Sequence, residues 1–145
     1  MSLINRILLP GALLALISCN LLPNQAIEVV NGFYEYQQDG NVNFPGDMFI
    51  SMEAASQVKF AVSQREMIYG GYISHKRTGT NWRFSIGENR KKETVTYTCV
   101  VTCVNGKTRE TLMLERHKDS ETFRVTAYVI ENISIFNELS PKNTV

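Results

Sequence analysis

The chain has 145 residues, a formal net charge of +1 and 43% hydrophobic residues, a length and composition that suit one domain with a real core. Near-neutral charge argues against nucleic acid as the main partner, since phosphate binding needs a cationic surface. No HExxH, G-x-S-x-G, paired-cysteine or glycine-rich phosphate motif occurs, so the expectation is a protein that is not an enzyme and carries no cofactor and no metal.

In chain order, the first element is a leader. Arg6 precedes an almost uninterrupted apolar run from Ile7 to Ile17, followed by Ser18 and Cys19. Charge, apolar run and small residue in that order make a secretory signal, and the run is shorter than the roughly 20 apolar residues a bilayer span takes. Leu16-Ile17-Ser18-Cys19 resembles the lipobox of bacterial lipoproteins. That resemblance implies cleavage between Ser18 and Cys19, a diacylglycerol on the Cys19 sulfur, and membrane attachment without a transmembrane helix. Asn20, where the family often has aspartate for inner-membrane retention, implies a periplasm-facing outer-membrane location, with the inner membrane or the cell surface as alternatives. The expected organisation is a signal peptide over 1–18, a lipidated tether over 19–26, a folded domain over 27–136 and a polar tail over 137–145.

From Ile27 onward the chain is rich in Val, Ile, Phe, Tyr and Thr and punctuated by Gly, Asn and Asp, which predicts short antiparallel strands. A first strand is expected over Ile27 to Gln37, bent near Asn31-Gly32, with extended structure resuming over Asp47 to Met52. Val58, Phe60 and Val62 alternate as a strand would; the rival reading is one short helix near 53–66. Met67 to Ser74 follows as a strand in which Gly70 and Gly71 permit a bend or a close backbone approach. Then come a loop through Lys76-Arg77-Thr78-Gly79 and a strand with Trp82, Phe84 and Ile86 on one face.

Thr94 to Val104 is the clearest strand, with Val95, Tyr97, Cys99, Val101 and Cys103 on one face. Asn105-Gly106 predicts a type I′ hairpin turn, which would set Cys99 across from Leu112, Tyr97 from Leu114 and Val101 from Glu110. A further turn at His117-Lys118-Asp119-Ser120 leads to an inward row of Phe123, Val125, Ala127 and Val129. Ile133, Ile135 and Phe136 are expected still to pack. The predicted fold is all-β: an antiparallel meander of about eight strands closing into a small up-and-down barrel, with a β-sandwich as the alternative.

Cys99 and Cys103, four apart on a straight strand, would lie roughly 13 Å from each other where a disulfide needs about 7 Å or less. They read as buried apolar residues, with a disulfide across a bulge as the alternative. His75 and His117 fall in predicted loops, and Arg90-Lys91-Lys92 reads as a solvated turn. Glu110 is placed on an otherwise apolar face, where a carboxylate needs an arginine or a ligand to pair with it; the alternative is that, two residues from the expected strand start at Thr108, it lies at the rim in water.

Tyr97, Glu110, Trp82, Phe84 and Tyr69 are therefore the candidate ligand-binding residues. The expected function is a membrane-anchored envelope protein whose barrel takes up an apolar or amphipathic ligand, an architecture similar to that of lipocalin-like proteins. Gly32-Phe33-Tyr34 lacks the tryptophan of the motif those proteins carry near the first strand. The alternative is a non-catalytic protein docking on an envelope secretion, assembly or cell-wall complex.

Overall fold

A computed structural model describes residues 22–86, 91–117 and 120–135. The expected leader, Cys19 with its expected lipid, Arg90, Lys118, Asp119, Phe136 and the expected polar tail lie outside the described residues. Helix α1 (Asn24–Glu35) and helix α2 (Met52–Tyr69) precede four strands, β1 (Tyr72–Ile86), β2 (Lys91–Cys103), β3 (Gly106–His117) and β4 (Arg124–Ile135). The strands form an antiparallel meander in the order β1-β2-β3-β4.

The meander was expected; among the described residues it has four strands in place of the expected eight and does not close into a barrel. Four long strands make an open sheet, and the layer that seals its inner face is helical, which also removes the sandwich. Among the described residues no helix is long and apolar enough to cross a membrane.

Helix α1 replaces the expected first strand, and it begins inside the stretch read as tether. Its buried residues, Ala26, Val30, Phe33 and Tyr34, with Leu22 just before the helix and Gln37 just after it also buried, recur at helical rather than strand spacing. A composition rich in Val, Phe and Tyr concealed that period. Helix α2 is the short helix of the rival reading, lengthened at both ends, and it overturns the strand expected through Val58, Phe60 and Val62. Ser51 caps it, its Oγ accepting the Ala54 N–H at 3.1 Å. Ala54, Val58, Val62, Arg65 and Tyr69 face inward, yet Phe60, Met67 and Ile68 stand exposed. An apolar presence on both sides of the helix is what blurred its period.

Gly70 stops α2 at φ 76° and ψ −174°, a region open in practice to glycine alone. A side chain here would also collide, since its Cβ would fall 3.0 Å from the Cβ of Val104. That close approach explains where the β2–β3 turn sits. The N–H of Val104 donates to the Gly71 carbonyl at 3.1 Å, and that of Asn105 donates to the Tyr69 carbonyl at 2.7 Å. The turn is therefore Val104-Asn105, and Cys103 pairs with Gly106. No residue there has positive φ, so the expected type I′ turn is corrected. Cys99 pairs with Glu110, Tyr97 with Leu112 and Val101 with Thr108, two residues from the expected register. A shift of two leaves every side chain on its expected face.

Other differences have equally local causes. Asp47 to Met52 is a 3-10 turn over Gly46–Met48 and then the start of α2. Between them Phe49 bridges to Val125, and the Ile50 N–H donates to the Val125 carbonyl at 3.0 Å, covering part of the β4 edge. Met67 to Tyr69 is helical. The expected loop at Lys76 to Gly79 lies within β1, which absorbs its irregularity as a register shift between Arg77 and Gly79. In β4 a second shift leaves Thr126 unpaired between Val125↔Leu114 and Ala127↔Met113. Beyond it Tyr128 turns inward and Val129 is exposed, the reverse of the expected alternation.

The core lies between the helices and the inner face of β2 and β3. Val95, Cys99, Val101, Leu112 and Leu114 are sealed there against Ala26, Val30, Phe33, Val58 and Val62. Each large apolar side chain so buried contributes roughly 1.5–3 kcal/mol.

Candidate functional site

The most unusual chemistry in the described residues is at Glu110, fully buried at the centre of β3. Its Oε1 accepts from Arg65 Nη1 at 3.1 Å and from Thr108 Oγ1 at 2.9 Å. Its Oε2 accepts from the Tyr34 hydroxyl at 3.1 Å and from the Tyr128 hydroxyl at 2.5 Å. A carboxylate has about four lone-pair positions, and here protein donors occupy all of them.

Each donor arrives by a different route. Arg65 lies on the inward stripe of α2, and Tyr34 comes from α1. Thr108 is two residues along β3 and so on the same face. Tyr128 reaches the carboxylate only because the bulge at Thr126 reverses the phase of β4. Arg65 makes its hydrogen bonds through Nη1; its Nη2 lies 3.9 Å from Glu66 Oε1, and Nε has no hydrogen-bond partner among the described residues.

The network continues through Cys99, whose Sγ is 3.1 Å from the Tyr34 hydroxyl. Burial pushes the Cys99 thiol up to about 12, against the opposing hydrogen bond from Tyr34, so it remains protonated and can donate to the Tyr34 oxygen. Burial first, and the charge of Glu110 second, also hold Tyr34 and Tyr128 well above the ordinary phenol value. Arg65 is raised as well: burial works against its charge, but Tyr128 and Glu110 more than offset it. Tyr34, Tyr128, Cys99 and Arg65 thus keep the protons their hydrogen bonds use.

His75, expected in a loop, lies in β1 with its ring stacked 4.2 Å from that of Tyr34. Its Nδ1 is 2.7 Å from the Tyr72 hydroxyl. Cys99 and Cys103 are both free thiols on the buried face. Among the described residues no three His, Cys, Asp or Glu side chains cluster as metal ligands would.

The five residues singled out from sequence are placed in two environments. Glu110 and Tyr97 are buried under the helices and Tyr69 is buried at the end of α2, Tyr97 with its phenol pushed up to about 12 by burial. Trp82 and Phe84 face the same side of the sheet where the helices no longer cover it, and both are about half exposed. Of the five, Phe84 alone lines the cleft of about 510 Å³ that opens beside the start of α1, together with Gln25, Lys91, Glu93 and Arg116.

Arg116 organises that cleft. Its Nη2 grips Glu93 at 2.9 and 3.0 Å, its Nη1 donates to Gln25, and its guanidinium stands 4.5 Å from the Phe123 ring centre. His117, also expected in a loop, ends β3 with Nε2 2.6 Å from Glu115 Oε1.

Sequence reasoning singled out Glu110, with a wet rim as the alternative that its full burial removes, but missed Arg65, Tyr34 and Tyr128. The one available signal was an arginine on the buried stripe of a possible helix. Comparison with family models, curated proteins and solved structures yields no match to this chain.

Proposed function

We propose that this chain is a lipid-anchored, non-catalytic protein of the bacterial envelope that docks on a protein partner through the outer face of α2. The observation that carries the docking reading is the pair Phe60 and Met67, two turns apart on one side of α2 and 68% and 79% exposed. A helix that already buries Val58, Val62 and Tyr69 has no need of large apolar residues on its other side. The anchor rests on the lipobox resemblance at Cys19.

Ligand capture inside the domain has less support, because the carboxylate that would greet a ligand is saturated by Arg65, Thr108, Tyr34 and Tyr128. The cleft beside Gln25 is walled largely by charged side chains, which suits an apolar guest poorly.

A photo-crosslinking residue at position 60 or 67, in cells making the full chain, is expected to trap one discrete protein adduct. The same probe at exposed Gln38 is expected to trap none. If neither helix position gives an adduct, and native mass spectrometry of the gently extracted protein finds a bound small molecule, docking gives way to ligand capture. Cys19→Ala is expected to move the protein from the membrane fraction to the soluble one.

A further inference from the structure

We infer that the outer end of the β1–β2 hairpin, carrying Trp82, Phe84 and Ile86, rests in the headgroup region of the bilayer to which Cys19 moors the chain, at a surface containing anionic phospholipid. The inference rests on the anchored reading of Cys19 given above.

Chain length sets the geometry. Three residue steps join Cys19 to Leu22, whose side chain is already buried in the domain, so the acylated residue lies within about 10 Å of the folded body. Gln25, in the first turn of α1, lines one cleft with Phe84 and Lys91. Anchor and hairpin end therefore stand on the same side of the domain, and a bilayer that holds the first lies close to the second.

The exposed chemistry matches that neighbour. Trp82, Phe84 and Ile86 are 51%, 53% and 71% exposed. They share one face of β1, across from Val95, Glu93 and Lys91 of β2. Trp82, an apolar ring with one polar N–H edge, favours the boundary between acyl chains and water, and Phe84 and Ile86 add apolar surface beside it. Arg83 and Lys91 are exposed on the same hairpin, where cations add attraction to anionic headgroups. Of the two acidic residues that line the cleft with Phe84, Glu93 and Glu121, Glu93, which stands across from Phe84 in the sheet, is paired with Arg116 at 2.9 Å.

Trp82 is the single tryptophan of the chain and reports directly on this contact. The full, acylated protein would be reconstituted into phosphatidylethanolamine–phosphatidylglycerol vesicles with or without phospholipid brominated near the carbonyl end of its chains. Flotation and N-terminal mass check the anchor. The expected result is blue-shifted Trp82 emission, most of it lost in the brominated vesicles, and weak quenching by aqueous acrylamide. Phe84→Ser with Ile86→Ser, both at exposed positions, should reduce the bromine quenching while leaving the far-ultraviolet circular dichroism unchanged.

An acylated protein that floats while Trp82 stays open to acrylamide and untouched by bromine overturns the hairpin contact and leaves the anchor standing. Trp82 shielded from both quenchers means that protein covers the hairpin, and overturns the contact too. A protein that carries no acyl group and does not float overturns the anchor and this contact together.

Discussion

Arg65 of α2 and Glu110 of β3, 45 residues apart in sequence, meet at 3.1 Å with both side chains sealed from solvent. Burying the pair is costly, and breaking it costs more than never having built it. Arg65→Met strands the carboxylate and should lower unfolding free energy by about 3–5 kcal/mol. The double variant R65M/E110Q, with neither charge, should recover part of that loss. Urea denaturation of the four proteins in the cycle measures the coupling, and strictly additive losses would show that the two groups do not depend on each other.

Tyr128→Phe removes the 2.5 Å bond to Glu110 Oε2 and should cost roughly 1–3 kcal/mol, the usual range for a buried hydrogen bond to a charged group. Val129→Ser, one residue along and exposed, should be close to neutral. The contrast tests the bulge at Thr126, because without it the two positions would exchange roles.

Gly70→Ala must hold an alanine at φ 76° with its Cβ 3.0 Å from Val104. Strain of this kind costs on the order of 1–3 kcal/mol, read as a lower thermal midpoint. At Gly71 an added Cβ would meet nothing within 4 Å, so Gly71→Ala should leave the midpoint nearly unchanged. Equal effects at the two positions would mean that the turn is not seated on the end of α2.

Burial lowers the pKa of His75 from its ordinary value, opposed by the charge of Glu110; the Tyr72 hydroxyl and the Tyr34 ring are its other close neighbours. The unfolded chain, near 6.5, therefore takes up the proton first as pH falls. Stability from this site is intact above about 6.5 and declines below it until the folded ring also protonates. His75→Phe keeps a ring against Tyr34 and cannot titrate. Urea midpoints at about pH 7.5 and about pH 5, on either side of the free imidazole value, should show wild type losing more than the variant on acidification. Parallel losses would assign the acid sensitivity to other groups.

Much of the sheet was legible because strand side chains alternate strictly. The buried row from Val95 to Cys103 follows from period two alone, and it survived a register error because the error was itself two residues. In β4 the same rule failed at Tyr128, since one unpaired residue inverts the faces that follow it as far as the next register shift, and nothing near Thr126 announces the bulge. The α1 segment misled by composition: Val30, Phe33 and Tyr34 suit a strand, yet their spacing together with Ala26 and Gln37 is helical.

The candidate site divides in the same way. From sequence, Glu110 was a carboxylate on an apolar face that needed either a partner or a place at the wet rim. Whether that partner was a ligand or this chain's own arginine was decided by the packing of α2 over the sheet.

Local order alone thus determined the alternating faces of the central strands, the likeness of the leader to a lipoprotein signal and the misfit of Glu110, because each depends on neighbours a few residues away. The number of strands, the helical layer in place of barrel closure, the seat of the β2–β3 turn and the four donors on Glu110 were decided by tertiary structure. They depend on contacts between residues tens of positions apart, where a short stretch of chain has no period to register the partner it will meet.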